Sequence, residues 1–329
     1  MGDPAGIGLE LAARVSAERR DTPPFVFVGD PDALQRAAKR VGVSVPNPRV
    51  VETASDIGDG ANETLTVLHT PLAMEETPCE PDPANCDATV AAIERGVAAV
   101  RAGAASGLVT LPIAKDILQR TGFAFPGHTE FVAHLTKDDA YTGERGPVMM
   151  LAGPSLKVAL ATIHVPLAKV PTSLTRESVV HVGRVVGEAL KRDFGIAAPR
   201  IALCGLNPHA GENGHIGREE IEMLDPAAAA LRGQGWNVGD ARSADALFHD
   251  DARKTYDAVI ALYHDQGLIP IKTLHFWDGV NVTLGLPIVR TSPDHGTGFD
   301  IAGKGVARDD SFRAALKMAW EMASRRTAS

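Results

Sequence analysis

Three histidines in this chain share one local setting. His164, His209 and His264 each follow an apolar run typical of a strand, and each begins a polar, turn-rich block. In an open α/β sheet the carboxyl ends of parallel strands meet at one crevice, where ligands bind. Imidazoles gathered there, with the carboxylate of Asp265 beside the last of them, can hold a divalent metal that keeps a coordination position open. A lone histidine is more often an ordinary surface residue, so it is the shared setting that indicates a metal-assisted enzyme.

A second group of residues could bind an anion. His128 and Thr129 follow a Pro-Gly turn, and Lys272, Asn281 and Arg290 lie in the glycine-rich block near the carboxyl end. Guanidinium, ammonium and amide groups together can grip a phosphate or a carboxylate. The alternatives are that Thr129 merely caps a helix, with His128 at the surface, and that Lys272 and Arg290 are surface charges.

The elements that must position these residues alternate between strand and helix patterns. Such alternation favours a mostly parallel sheet with helices on both faces. At 329 residues the chain exceeds the size of about 250–300 residues at which a single core stops growing, so two lobes are expected. The sequence predicts strands at 25–28, 65–68 and 107–110, and helices at 31–40, 87–102, 173–193 and 311–323, with a surface loop at 73–86.

Composition excludes several classes of function. The net charge of -8 argues against a nucleic-acid partner, which requires a basic face. No uncharged apolar run is long enough to span a membrane, and no signal pattern opens the chain. The three cysteines, Cys79, Cys86 and Cys204, have no CxxC spacing, which favours a reducing cytoplasm over a disulfide framework.

The chain lacks the GxGxxG fingerprint of a standard dinucleotide-binding fold. The turn Gly2–Gly8 could still bring the backbone close to a phosphate, or it could simply connect a strand to a helix. Only Met1 precedes this turn, so an initial strand is expected to be missing before it.

Five blocks of sequence, taken in order, resemble the 4-hydroxythreonine-4-phosphate dehydrogenase family of pyridoxal phosphate synthesis. The blocks are 2–8, 125–131, 207–212, 263–267 and 279–305, and the resemblance covers nearly the whole chain. The stretch 295–305 also resembles the adenosine-binding loop of isopropylmalate and isocitrate dehydrogenases, which would explain a nicotinamide enzyme without GxGxxG. The chain departs from the family at Leu9, where the family commonly has proline.

The resemblance implies a fold and a set of site residues. The fold would be two α/β/α lobes with mostly parallel sheets, of the isocitrate and isopropylmalate dehydrogenase kind, with the active site in the cleft between lobes. The lobes would comprise 1–130 with 300–329, and 131–299. The implied residues are metal ligands His164, His209 and His264; catalytic Asp245 and Asp265; substrate contacts His128, Thr129, Lys272, Asn281 and Arg290; and cofactor contacts His295, Gly296, Thr297, Asp300 and Ile301.

The resemblance also implies the reaction and its components. NAD or NADP would accept a hydride, and one divalent ion (zinc, magnesium or cobalt) would serve each active site, which a homodimer would share. The substrate would be 4-(phosphooxy)-L-threonine, oxidised and then decarboxylated to 3-amino-2-oxopropyl phosphate in pyridoxal 5'-phosphate synthesis. Two alternatives remain open: a related dehydrogenase of phospho-erythronate, phospho-threonate or a cyclic diol dicarboxylate, and a metal-dependent phosphoesterase.

Overall fold

The computed structural model describes residues 1–18, 22–58 and 64–328. The chain divides into two compact units, Met1–Asp139 with Pro287–Ala323, and Ala140–Leu286 with Ser324–Ser329. These boundaries differ from the expected 1–130 with 300–329 and 131–299. Residues 287–299 fall in the first unit because the strand at Arg290 pairs with the strand at Leu108.

The expected α/β class with mostly parallel sheets is confirmed. Among the described residues, parallel strand pairs outnumber antiparallel ones. The strands are β1 (Val26–Gly29), β2 (Arg49–Val51), β3 (Thr66–His69), β4 (Leu108–Val109), β5 (Val148–Ala152), β6 (Lys157–Leu160), β7 (Arg200–Cys204), β8 (Asn237–Arg242), β9 (Ala258–Ala261), β10 (Val280–Leu284) and β11 (Arg290–Pro293).

The helices lie between the strands, with short 3-10 turns elsewhere. They are α1 (Gly8–Ala17), α2 (Pro31–Arg40), α3 (Cys86–Arg101), α4 (Lys115–Arg120), α5 (His128–Leu135), α6 (Val170–Ser173), α7 (Arg176–Arg192), α8 (Asp225–Gly233), α9 (Asp250–Arg253), α10 (His264–Leu274) and α11 (Asp310–Ala328). Among the described residues no helix is both long and apolar enough to cross a membrane.

The first unit is built on parallel strand pairs. Strand β3 lies between β1 and β2, and β4 pairs with β11.

The predicted helix at 31–40 is confirmed as α2, where the Asp30 side chain accepts a hydrogen bond from Ala33 N at 2.9 Å and Pro31 fills the first position. Helices α1 and α2 bury Leu11 and Leu34 in one hydrophobic core. A cavity of about 440 Å³ lies between β1 and β4 and is lined by α3 and α11.

The predicted surface loop at 73–86 is anchored more firmly than its polar composition indicates. Glu76 lies in this segment and is only 4% exposed. Its carboxylate accepts hydrogen bonds from Arg36 and Arg40 of α2, each at 2.5 Å. Hydrogen bonds from these guanidinium groups outweigh burial and hold the pKa of Glu76 below its usual value. The polar residues of this loop thus include one that is buried because its charge is paired.

The second unit contains the sheet that matters for the site. Its strands lie in the order β10-β5-β6-β9-β7-β8, and the four strands from β6 to β8 run parallel. The interiors of β9 and β7 are apolar on both faces, with Val259, Ile260 and Leu203 fully buried, as expected of parallel strands covered by helices. The carboxyl ends of β6, β9, β7 and β8 therefore open along the same edge of the sheet.

Candidate active site

Two of the strand-end histidines lie side by side in the second unit. His164 follows β6, and His264 follows β9 as the first residue of α10. These strands are paired neighbours, and the pairing continues past their ends, since Ala161 N donates to Ala261 O at 2.8 Å. As a result the two imidazole centroids are 5.9 Å apart, with the rings inclined by 38°.

Asp265 fixes the orientation of one of these rings. Its Oδ1 lies 2.6 Å from His264 Nδ1. A carboxylate bonded to one ring nitrogen sets the tautomer of a histidine and makes the other nitrogen a better ligand. The structure thus gives Asp265 a place beside His264, with Nε2 as the nitrogen suited to an ion.

His209 and Asp245 follow the next two strands of the same sheet. His209 lies in a turn after β7, and Asp245 lies in a 3-10 turn after β8. The two residues are close enough to interact electrostatically. A hydrogen bond from Ser243, assisted by the charge of His209, holds the pKa of Asp245 below its usual value. Asp245 is therefore an ionised carboxylate at neutral pH.

These residues suit a divalent ion in their chemistry, although one chain does not assemble a full set. Within residues 1–18, 22–58 and 64–328, no three His, Cys, Asp or Glu side chains form a group that could hold a metal ion. The pair His164 and His264 can supply two nitrogen ligands, because the rings are adjacent and Asp265 orients one of them. His209, one strand further along the sheet, stands apart from the pair.

The pattern of residues did not reveal a role for Gln266, which links the His264 and His209 segments. Its Oε1 accepts from Leu262 N at 2.7 Å, and its Nε2 donates to Gly205 O at 2.8 Å. The side chain thus ties the end of β9 to the end of β7. Its position directly after His264 and Asp265 is the only hint that the sequence offers.

Lys272 and Asn281 are the other expected substrate contacts in the second unit. Lys272 lies two turns after His264 on α10, with its Nζ 5.6 Å above the ring of Phe276. Asn281 lies on β10, and its Oδ1 is buried without a hydrogen-bond partner among the described residues. A buried acceptor of this kind requires a donor, which a bound ligand can provide.

The first unit brings together the remaining expected substrate contacts. Arg290 opens β11, is 3% exposed and donates to Thr110 Oγ1 at 2.7 Å. Burial lowers the pKa of Arg290 to about 10, so the guanidinium remains charged at neutral pH. Burial, together with the positive charges of Arg290 and Lys115, holds the pKa of His128 well below 6.5. His128 is therefore a neutral imidazole close to two cations.

The helix that begins at His128 strengthens this anion-binding character. His128 and Thr129 occupy the first turn of α5, where backbone N–H groups point out of the helix and the dipole favours negative charge. The Nε2 of His128 is buried without a hydrogen-bond partner among the described residues. Thr110, which bonds Arg290, and Lys115, whose charge acts on His128, are additions to the expected set.

The expected cofactor loop packs against the first helix of the chain. His295, Gly296 and Thr297 follow β11, and Asp300 and Ile301 form a short 3-10 turn. Ile7 N donates to Thr297 O at 2.8 Å. A Cβ on Gly6 would lie 2.7 Å from Thr297 O, so only glycine allows this approach.

The glycine-rich turn at the start of the chain is used for packing. Gly6 N donates to Asp3 O at 3.1 Å, and Cys79 N donates to Ala5 O at 2.9 Å. Gly303 N donates to the buried carboxylate of Glu10 at 2.9 Å. The turn Gly2–Gly8 is thus a tight turn against which the 295–301 loop packs.

Comparisons with known proteins identify the family of this chain. A family profile described as pyridoxal phosphate biosynthetic protein PdxA matches residues 21–319. The 4-hydroxythreonine-4-phosphate dehydrogenase of Caulobacter vibrioides is 50% identical over 326 residues, which are 99% of this chain and 96% of that protein. That of Maricaulis maris is 52% identical over 345 residues, covering 98% of this chain and 96% of that protein.

Solved structures give the same result. The structure of 4-hydroxythreonine-4-phosphate dehydrogenase from Klebsiella pneumoniae has a TM-score of 0.86 at 38% identity, covering 98% of this chain and 96% of that one. The match extends over both units, and the profile spans most of the chain. The chain is a member of the PdxA family of pyridoxal phosphate biosynthetic proteins.

Proposed function

We propose that this protein oxidises 4-(phosphooxy)-L-threonine to 2-amino-3-oxo-4-(phosphooxy)butanoate, which loses carbon dioxide to give 3-amino-2-oxopropyl phosphate. The observation that carries the proposal is the adjacent pair His164 and His264 at the ends of parallel strands, with Asp265 orienting His264. The relatives named 4-hydroxythreonine-4-phosphate dehydrogenase support the substrate. The reaction would serve pyridoxal 5'-phosphate synthesis.

His164, His209 and His264 would hold one divalent ion (zinc, magnesium or cobalt), and Asp265 would keep His264 in its ligand tautomer. When bound, such an ion acts as a Lewis acid that lowers the pKa of the substrate hydroxyl and stabilises negative charge after decarboxylation. The ionised Asp245 lies beside His209 and is suited either to accept a proton or to orient that ligand.

The anionic end of the substrate would be bound in the first unit. Arg290 offers a planar, charged fork that matches a phosphate. His128, Thr129 and the first turn of α5 add neutral donors there. Lys272 and Asn281 would contact other polar groups of the substrate. Because burial and the nearby cations hold the pKa of His128 well below 6.5, its neutral ring can donate a hydrogen bond and is a poor proton acceptor.

NAD or NADP would supply the hydride acceptor. The loop with His295, Gly296, Thr297, Asp300 and Ile301 would bind the cofactor in place of a GxGxxG turn, as the resemblance to the family implies. Its anchoring on Ile7 and Glu10 supports this role, because a preformed loop loses less entropy when it binds.

We further propose that the protein is a homodimer that shares its active sites. The single chain brings together two of the three histidines, so a second copy would complete the ligand set. Helix α10 and the residues after it also expose apolar side chains beside Lys272, namely Ile269, Leu274, Phe276 and Trp277. The free thiols Cys79, Cys86 and Cys204 suit a cytoplasmic location.

A second substrate class is supported by one comparison. The terephthalate 1,2-cis-dihydrodiol dehydrogenase of Burkholderia xenovorans has a TM-score of 0.64 at 30% identity, covering 97% of this chain and 95% of that one. The buried Arg290 and the neutral His128 favour a substrate with a phosphate over a cyclic diol. Phospho-erythronate and phospho-threonate carry the same group and remain the nearest alternatives.

A substrate panel tests the proposal. The purified protein is assayed with 4-(phosphooxy)-L-threonine, phospho-erythronate, phospho-threonate and a cyclic diol dicarboxylate, each with NAD and NADP and a divalent ion. We expect reduced nicotinamide to form fastest with 4-(phosphooxy)-L-threonine. Faster turnover of another compound would reassign the substrate, and release of phosphate without nicotinamide reduction would indicate a phosphoesterase.

A further inference from the structure

The turn that carries His209 has an uncommon backbone. The five consecutive residues from His209 to Asn213 all have positive φ, between 44° and 79°. Only one of them, Gly211, is a glycine. The left-handed region is unfavourable for residues with a Cβ and normally holds single residues rather than runs. Surrounding contacts must therefore stabilise this turn.

A single buried carboxylate supplies much of that stabilisation. Glu220 is 2% exposed and lies in the helical segment that follows the turn. Its Oε1 accepts from Leu206 N at 2.7 Å and from Asn207 N at 2.8 Å, and its Oε2 accepts from Asn207 Nδ2 at 2.9 Å. All three bonds hold the chain immediately before His209.

Three glycines allow the backbone to close around this carboxylate. A Cβ on Gly211 would lie 2.7 Å from Glu220 Oε2, and one on Gly205 would lie 3.2 Å from Glu220 Oε1. A Cβ on Gly217 would lie 2.2 Å from Asn207 Nδ2. The glycines, the carboxylate and the left-handed turn thus form one packed unit.

We propose that Glu220 is a positioning residue that holds the left-handed turn and so fixes the place of His209. Gln266 extends the same network, because it bonds Gly205 O at the base of the turn and Leu262 N beside His264. The part of this inference that concerns a metal rests on the proposed function. The part that concerns the conformation of the turn does not.

Replacing Glu220 by Gln tests the inference. A glutamine has the same size and can still accept from the two backbone N–H groups. Its amide nitrogen, however, would then face Asn207 Nδ2, and two hydrogen-bond donors would oppose each other. The matched control is Glu222→Gln, the same change two residues further on, where the exposed side chain pairs with Arg218. Asn207→Ala removes a single bond to Glu220 and serves as a milder second variant if Glu220→Gln folds poorly.

Two readouts separate this inference from the proposed function. Hydrogen exchange of the peptide 205–217 reports the turn without any metal, and we expect it to quicken at least about tenfold in Glu220→Gln and not in Glu222→Gln. Zinc affinity, measured by competition with a fluorescent chelator, should fall about 10- to 100-fold in Glu220→Gln. His209→Ala provides the reference for loss of that ligand.

The outcomes distinguish the two claims. Unchanged exchange of the turn in both Glu220→Gln and Asn207→Ala would overturn the inference, whatever zinc does. Faster exchange with zinc affinity equal to that of the unaltered protein would also overturn it, provided that His209→Ala weakens zinc. If His209→Ala leaves zinc affinity unchanged, the ligand role in the proposed function fails, while the exchange result still decides the role of Glu220.

Discussion

At the scale of single residues, burial and nearby charge determine what the side chains of the candidate site can do. His128 is neutral because burial and the cations Arg290 and Lys115 disfavour its protonated form. The sequence predicted His128 and Arg290 from a resemblance, but it could not show that they influence one another. The sequence also could not single out Glu220, because two other glutamates, Glu219 and Glu222, lie within two positions of it.

Arg290→Lys should weaken binding of the anionic end of the substrate. A lysine is a point charge, so it cannot reproduce two parallel hydrogen bonds to a phosphate. Loss of one hydrogen bond to a charged group costs roughly 1.5–3 kcal/mol, or about one to two decades in KM for the substrate. Steady-state kinetics should show this rise with the KM for nicotinamide unchanged.

Arg308→Lys is the matched control for this variant, since Arg308 is exposed and pairs with Asp310. It should leave both KM values near those of the unaltered protein. The assignment of Arg290 to the substrate would be wrong if Arg290→Lys raised the KM for nicotinamide and spared that for the substrate.

At the scale of elements, local signals predicted four of the helices close to their observed bounds but missed the interactions that end them. The predicted helix 173–193 is confirmed as α7, but it begins later, at Arg176. Leu174 has an extended backbone. The side chain of Thr175 then caps the helix by accepting a hydrogen bond from Ser178 N at 3.1 Å. At its other end, Asp193 is fully buried between Arg192 and Arg326. Arg326 is distant in sequence, so no local pattern could reveal this partner.

Asp193→Asn should destabilise the second unit strongly. Removing one partner from a buried ion pair leaves uncompensated charge and costs about 3–5 kcal/mol. Urea denaturation should therefore show a free energy of unfolding lower by that amount at pH 7. Asp251→Asn, at an exposed pair with Lys254, should change it little, and an equal effect of the two substitutions would contradict the account.

The same variant has a predictable pH dependence. Burial alone would raise the pKa of Asp193, but hydrogen bonds from Arg192 and Arg326 outweigh it and hold the pKa below 3.8. A depressed pKa in the folded state gives stability that is fully present above the unfolded pKa and is lost as pH falls through the folded pKa. The difference in free energy of unfolding between the unaltered protein and Asp193→Asn should thus stay constant from pH 7 to about 5 and shrink below about 4.

At the scale of the whole molecule, the two compact units have other boundaries than the lobes that the resemblance implies. The strand β11 joins the first unit through its pairing with β4, across more than 180 residues of chain, and hydrophobic periodicity carries no information on such pairings. The sheet order also makes neighbours of the four parallel strands that precede His164, His264, His209 and Asp245, and this order is not visible in the sequence. Only the shared strand-end setting of the histidines was visible in the sequence.

The central claim is that these strand-end histidines bind a divalent ion in a homodimer. Native mass spectrometry tests it in one measurement, on protein stripped with a chelator and then supplied with zinc. We predict a dimer that carries one zinc ion per chain, and a zinc-poor dimer for His164→Ala and for His264→Ala. His249→Ala, at an exposed histidine before α9, should retain full zinc. A monomer with full zinc, or full zinc in His264→Ala, would contradict the account.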